Sequence, residues 1–176
     1  RQMCIRDRYY SIKLCFLANC KRGIMNKPTL AVIVPCFNEE LCVKTTVETL
    51  LSLLDNLVKN EKIRKDSYLY LVDDGSKDRT WEIIETLHNK DKRVKAARFI
   101  RNFGNQKALI AGLEGVRDLG CDCAVSIDAD LQQDENAIEL FIDEYMKGAD
   151  IVSGIRNDRK TDTFFKKITA VMFYKT

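Results

Sequence analysis

Tyr68-Leu-Tyr-Leu-Val-Asp-Asp-Gly-Ser-Lys-Asp78 joins a short apolar run to a cluster of acidic and turn-forming residues. An apolar run of that length, closed by turn residues, has the character of a buried strand and is too short for a helix. Gly75 and Ser76 mark the turn, and Ser76 or Asp78 can cap a following helix that holds Trp81, Ile84 and Leu87. The unit is therefore strand, turn, helix.

The same unit recurs on both sides. Upstream, Leu30-Ala-Val-Ile-Val34 is an apolar run closed by Pro35. Asn38 can cap the next helix, with Glu39 and Glu40 in its first turn, where the helix dipole favours acids. Val43, Val47, Leu50, Leu51, Leu54, Leu57 and Val58 then recur at helical spacing. Downstream, Val94 to Phe99 is a third strand and Asn105 opens a helix with Ala108, Leu109, Gly112, Val116 and Leu119 on one face. Ala124-Val-Ser-Ile127 is a fourth strand, and Ile138, Phe141, Ile142 and Tyr145 mark a helix that Gly148 ends. Asp150-Ile-Val-Ser153 is the fifth strand. Strands alternating with helices predict an α/β fold, a Rossmann-like three-layer sandwich around a mainly parallel central sheet.

In such sheets ligands bind beyond the carboxyl ends of the strands. Polar clusters fall there: Pro35 to Glu39, Asp73 to Asp78, Asp128 to Gln132, and Arg156. In Asp128-Ala-Asp-Leu-Gln132 two carboxylates flank one small residue just past a buried strand. They supply hard oxygen ligands that suit Mg²⁺ or Mn²⁺, and Gln132 adds a neutral oxygen. Asp73 and Asp74 can accept hydrogen bonds from a nucleobase N–H or a ribose hydroxyl. Phe37 can pack against a base, and Glu39 can bond the ribose. The blander readings are a solvated acidic turn, a capping turn and a rigid turn. Four clusters at equivalent strand ends favour one composite site.

Composition sets the outer limits. The 176 residues allow one domain with a sizeable core. A net charge of +3, spread along the chain, argues against a nucleic-acid partner. Seven cysteines (Cys4, Cys15, Cys20, Cys36, Cys42, Cys121 and Cys123) form no regular framework, which points to thiols in a reducing compartment. No apolar run approaches the roughly 20 residues that span a bilayer. Residues 1–24 show no clean period and are set aside from the fold as a non-native or disordered leader. His88, the only histidine, falls in a helical stretch and reads as a surface residue. No G-x-G-x-x-G follows the first strand, which excludes a dehydrogenase. No Gly-rich basic loop stands there to hold a triphosphate, which disfavours a nucleotidyltransferase.

Val34-Pro-Cys-Phe-Asn-Glu-Glu40, Leu71-Val-Asp-Asp-Gly-Ser76 and Asp128-Ala-Asp-Leu-Gln132 resemble the three signatures of family-two glycosyltransferases with the GT-A fold. Arg98-Phe-Ile-Arg-Asn-Phe-Gly-Asn-Gln106, Ala108-Leu-Ile-Ala-Gly112 and Ser153-Gly-Ile-Arg156 are similar to the branch that moves a hexose onto a polyprenyl phosphate. That branch includes dolichol-phosphate mannose synthases and bactoprenol glucosyltransferases. The resemblance covers residues 29–176. It implies that Pro35, Phe37, Glu39, Asp73, Asp74 and Asp128 hold the nucleotide sugar. It also implies that Asp128, Asp130 and Gln132 bind the metal, and that Asp128, Asp130 and Arg156 serve catalysis. Two departures stand out: Phe37 replaces a common tyrosine, and Gln133-Asp134 replaces a frequent His-Pro.

The implied reaction is an inverting transfer from a UDP- or GDP-sugar to a dolichyl or undecaprenyl phosphate. Its alternatives are a soluble family-two enzyme with a glycan or protein acceptor, and a non-catalytic nucleotide-sugar-binding module. Residues 25–160 would form the catalytic domain. Residues 161–176 would begin an amphipathic helix, with Lys166 and Lys167 beside aromatics, as suits an anionic membrane surface. The expected location is cytoplasmic, or the cytoplasmic face of a membrane, with oligomerisation open. Because the resembled branch continues into membrane helices, truncation at the C-terminal end is expected.

Overall fold

The computed structural model describes residues 2–5, 13–15, 27–131 and 137–154. Its strands are β1 (Gln2–Ile5), β2 (Lys13–Cys15), β3 (Leu30–Cys36), β4 (Tyr68–Asp73), β5 (Val94–Arg98), β6 (Cys123–Ser126) and β7 (Ile151–Gly154). The helices are α1 (Val43–Lys59), α2 (Thr80–Lys90), α3 (Asn105–Leu119) and α4 (Ala137–Met146). One sheet runs in the order β1-β7-β2-β6-β3-β4-β5. β6, β3, β4 and β5 pair in parallel, and β2 lies antiparallel to both β6 and β7. This is the expected α/β architecture with a mainly parallel sheet.

β3 is central, and Leu30 to Val34 are wholly buried. A strand covered on both faces needs apolar residues at every position, hence its unbroken apolar run. Its even-numbered residues join a large core cluster with Val47, Leu50, Leu54, Ile84 and Phe141. Ala31 and Ile33 join a second cluster with Tyr68, Val116 and Ala124. Thus α1, α2 and α4 cover one face and α3 the other, giving three layers. In α1 the buried residues Val43, Val47, Leu50, Leu54 and Leu57 step by three or four. Each contributes about 1.5–3 kcal/mol by leaving water. α3 approaches its face through Gly112, where a Cβ would come 2.5 Å from Ile33 Cγ2. A larger residue there would push the helix off the sheet.

Two sequence expectations are corrected. Pro35 does not close the first strand; β3 runs through it to Cys36, with Pro35 opposite Val72 of β4. Ile33 C=O accepts from Ile127 N on the β6 side, whereas Cys36 C=O accepts from Asp74 N on the β4 side. Pro35 therefore faces the β6 side, where pairing has ended at Ile33, and its missing N–H costs no ladder bond. Asn38 does not cap a helix. α1 starts at Val43 with no acid in its first turn, and Asn38 adopts φ 57°, a left-handed turn that asparagine tolerates. Within residues 1–24, which the sequence reading sets aside, Gln2–Ile5 pairs with β7 and Lys13–Cys15 with β6. Strand pairing is made by backbone groups, and strands this short leave little trace in side-chain periodicity.

Candidate active site at the carboxyl edge of the sheet

The loops leaving β3 and β4 are zipped together. Asn38 N donates to Ser76 Oγ (2.9 Å), Glu39 N to Thr80 Oγ1 (2.8 Å), and Lys77 N to Asn38 Oδ1 (2.9 Å). Asp78 accepts from Glu40 N with one oxygen and from Thr80 N with the other, so it satisfies the first amide of α2, whose N-cap is Arg79, and ties down the neighbouring loop. These bonds hold Phe37 and Glu39 over the sheet edge.

The two adjacent aspartates divide their work. Asp74 is 2% exposed. Its Oδ1 accepts from Phe103 N (2.7 Å) and its Oδ2 from Gly104 N (2.8 Å). It thereby folds the loop after β5 back over β4. Gly75 makes room for this at φ 69°, since a Cβ there would strike the backbone of Arg101. Asp73 is fully buried. Its Oδ1 accepts from Ser76 N, and its Oδ2 lies 3.1 Å from Arg98 Nε in charge contact without hydrogen-bond geometry. Arg98 in turn lies over the Trp81 ring.

A cavity of about 350 Å³ opens along this edge. Pro35, Cys36, Phe37 and Glu39 form one wall; Asp74, Asn102, Asn105 and Ala108 form another; Asp128, Ala129 and Asp130 form the third. Of the expected site residues, Pro35, Phe37, Glu39, Asp74, Asp128 and Asp130 meet here. Asp73 is not among the lining residues; its buried carboxylate is engaged by Ser76 N and by Arg98. Gln132 and Arg156 lie outside the described residues. Asn102 and Asn105 were not expected. The strand-end rule that located the other clusters also points to them, since they follow the third strand.

Asp128 and Asp130 are exposed and Ala129 between them is buried, so both carboxylates stand at the surface of the cavity. Among the described residues no three His, Cys, Asp or Glu side chains gather to hold a metal. The protein wall thus offers two carboxylates. That fits Mg²⁺ or Mn²⁺, which keep waters and accept phosphate oxygens, and does not fit a closed structural zinc site.

The cavity is electronegative. Burial, its bond to Glu39 (3.0 Å) and the charges of Glu39 and Asp130 push the Cys42 thiol up to about 11. Burial, then Asp73, Glu39 and Cys42, also raise Cys36, while burial leads the rise of Tyr68 and Cys121. All four groups are neutral in the fold and ionise more readily once unfolded. Their contribution is therefore complete below the ordinary thiol value of 9.0 and is lost progressively above it, the Cys42 part as pH climbs through about 11 and the Cys36 and Tyr68 parts at higher pH still. The urea midpoint is expected to fall steadily from about pH 8 to about pH 11. A flat profile would contradict this assignment.

The model of the family described as Glycosyl transferase family 2 matches residues 31–175. The uncharacterized glycosyltransferase YkoT of Bacillus subtilis is 45% identical over 150 residues, covering 85% of this chain and 44% of that protein. The prophage bactoprenol glucosyl transferase homolog of Escherichia coli is 36% identical over 146 residues, covering 83% of this chain and 45% of that protein. A solved mannosyltransferase from Pyrobaculum calidifontis, in complex with GDP-Man and Mn²⁺, matches at 23% identity over 59% of this chain and 28% of that one. Its TM-score of 0.44 is too low to add to the argument. An α/β sheet with an acidic, open cavity at its carboxyl edge defines the class; the chain belongs to glycosyl transferase family 2. It spans under half the length of the curated relatives it matches.

Proposed function

We propose that this chain binds the donor in an inverting hexosyltransferase that moves a hexose from a UDP- or GDP-sugar to a polyprenyl phosphate. The observation that carries the reading is the 36% identity to bactoprenol glucosyl transferases across 83% of the chain. Support also comes from the cavity, which brings together the Phe37 ring and the carboxylates of Glu39, Asp128 and Asp130.

In this reading Phe37, 39% exposed, packs against the base and Glu39 accepts from the ribose. Asp128 and Asp130, with Gln132, hold Mg²⁺ or Mn²⁺. The cation supplies charge neutralisation for the departing diphosphate. Arg156 adds a second positive charge on that side. An acceptor phosphate oxygen attacks the anomeric carbon; the new C–O bond forms as the bond to the diphosphate breaks, and the nucleoside diphosphate leaves with the electron pair. The attacking oxygen is already anionic near neutral pH, so the site needs no strong general base. Residues 25–160 act as the catalytic domain in this reading. No helix among the described residues is long and apolar enough to cross a membrane. The basic aromatic segment 161–176, outside the described residues, would bring the site to the cytoplasmic face of a membrane.

The test is a screen of UDP- and GDP-hexoses with undecaprenyl phosphate in detergent micelles, with Mn²⁺ or with excess chelator. Transfer to the lipid is expected with metal, falling about a hundredfold or more on chelation. Undiminished transfer after chelation overturns the metal role. Transfer to soluble glycans or proteins alone overturns the lipid acceptor.

A further inference from the structure

The residue between the two cavity carboxylates is anchored at both of its ends. The Ala129 side chain is 3% exposed and packs in the larger core cluster. Its carbonyl accepts from the hydroxyl of Thr46, a residue of α1 that is 1% exposed and 83 residues away in sequence. The O···O separation is 2.5 Å. The turn closes just beyond, where Leu131 N donates to Asp128 O and Leu131 takes φ 48°.

The Thr46 hydroxyl has one proton and two acceptors in reach, Ala129 O and Cys42 O at 3.0 Å. Cys42 O already accepts the helical bond from Thr46 N. α1 therefore gains nothing essential from the hydroxyl, and threonine is a poorer helix former than alanine or leucine. The distance and this redundancy both assign the proton to Ala129 O. The bond fixes the Ala129–Asp130 peptide, from which Asp130 projects, and so sets the Asp130 carboxylate relative to that of Asp128.

We infer that Thr46 is a positioning residue for the divalent cation, setting the Asp128–Asp130 pair from the opposite side of the loop. The inference rests on the reading of those carboxylates as cation ligands. Outer-shell partners of this kind change metal affinity by about 10- to 100-fold when removed. Thr46 is buried and does not line the cavity, so its loss should weaken cation uptake and spare metal-independent nucleotide contacts at Phe37 and Glu39.

The experiment compares the purified wild-type protein with Thr46→Val and Thr46→Ser. Free Mn²⁺ is measured by electron paramagnetic resonance during titrations in the presence of UDP and, separately, GDP. Nucleotide binding in chelator is measured by calorimetry. Thr46→Val is expected to weaken Mn²⁺ uptake about tenfold or more, with metal-free nucleotide binding kept within about twofold. Thr46→Ser, which restores the hydroxyl, is expected to match wild type. Wild-type Mn²⁺ affinity in Thr46→Val overturns the inference and leaves the cation reading standing. Equal losses in Thr46→Ser and Thr46→Val, or parallel losses of metal-free nucleotide binding, also overturn it by making Thr46 a packing residue. A wild-type protein that takes up no Mn²⁺ with either nucleotide overturns the cation reading and this inference together.

Discussion

Asp130→Asn is expected to lower kcat for sugar transfer about a thousandfold, with a change in Tm of no more than about 2 °C. The side chain is exposed, so the fold does not depend on its burial. The substitution removes one negative charge from a wall that offers two carboxylates to a cation. It leaves size and shape nearly unchanged, which separates a chemical defect from a structural one. A second readout is independent of turnover. Asp130 is one of the charges that raise the Cys42 thiol. The asparagine variant should therefore alkylate faster at Cys42 at a fixed alkaline pH. Retained transfer in Asp130→Asn would remove Asp130 from the reaction. Unchanged thiol reactivity would remove it from the electrostatics of the cavity.

Asp74→Ala is expected to cost about 3 kcal/mol of folding stability, read from urea unfolding. Both carboxylate oxygens accept backbone N–H groups, from Phe103 and Gly104, within the fold. Alanine would leave both amides without that acceptor, and charged hydrogen bonds of this kind contribute about 1.5–3 kcal/mol each. Asp74→Asn keeps one carbonyl acceptor but turns an N–H₂ group towards an N–H donor, so it should fall between wild type and alanine. The loop released in either variant carries Asn102 and leads to Asn105, two residues of the cavity wall. KM for the donor should accordingly rise alongside the loss of stability. A stability change below about 0.5 kcal/mol in Asp74→Ala would show that the loop is held by other contacts.

The sheet was readable from the sequence because its central strands are buried on both faces. Leu30 to Val34 and Tyr68 to Val72 must then be apolar at nearly every position, and a run of that kind is conspicuous. The pairing of β1 and β2 was not readable, because it depends on backbone groups that every residue carries. The site was legible in position and less so in role. Phe37, Glu39, Asp128 and Asp130 lie on the cavity as their place after strands implied. Asp73 and Asp74 are chemically identical neighbours, and only the fold shows that one meets Arg98 and Ser76 while the other binds two loop amides. Asn38 illustrates the same limit: an asparagine before two glutamates suits a helix cap and a left-handed turn equally well.

The bond between Thr46 and Ala129 spans 83 residues of chain, and that between Thr29 N and Asp122 spans 93. No local fragment contains the cavity; it comes into being only when β6 docks beside β3. Such distant parallel pairings are slow to form, because the intervening loop entropy is lost before any contact compensates it. A nucleotide that binds only the assembled cavity would therefore stabilise the folded chain as a whole. At a hundred times its Kd it would add about 2.7 kcal/mol to global stability. Resistance to proteolysis in the presence of candidate nucleotides would then rank donors before any acceptor is known.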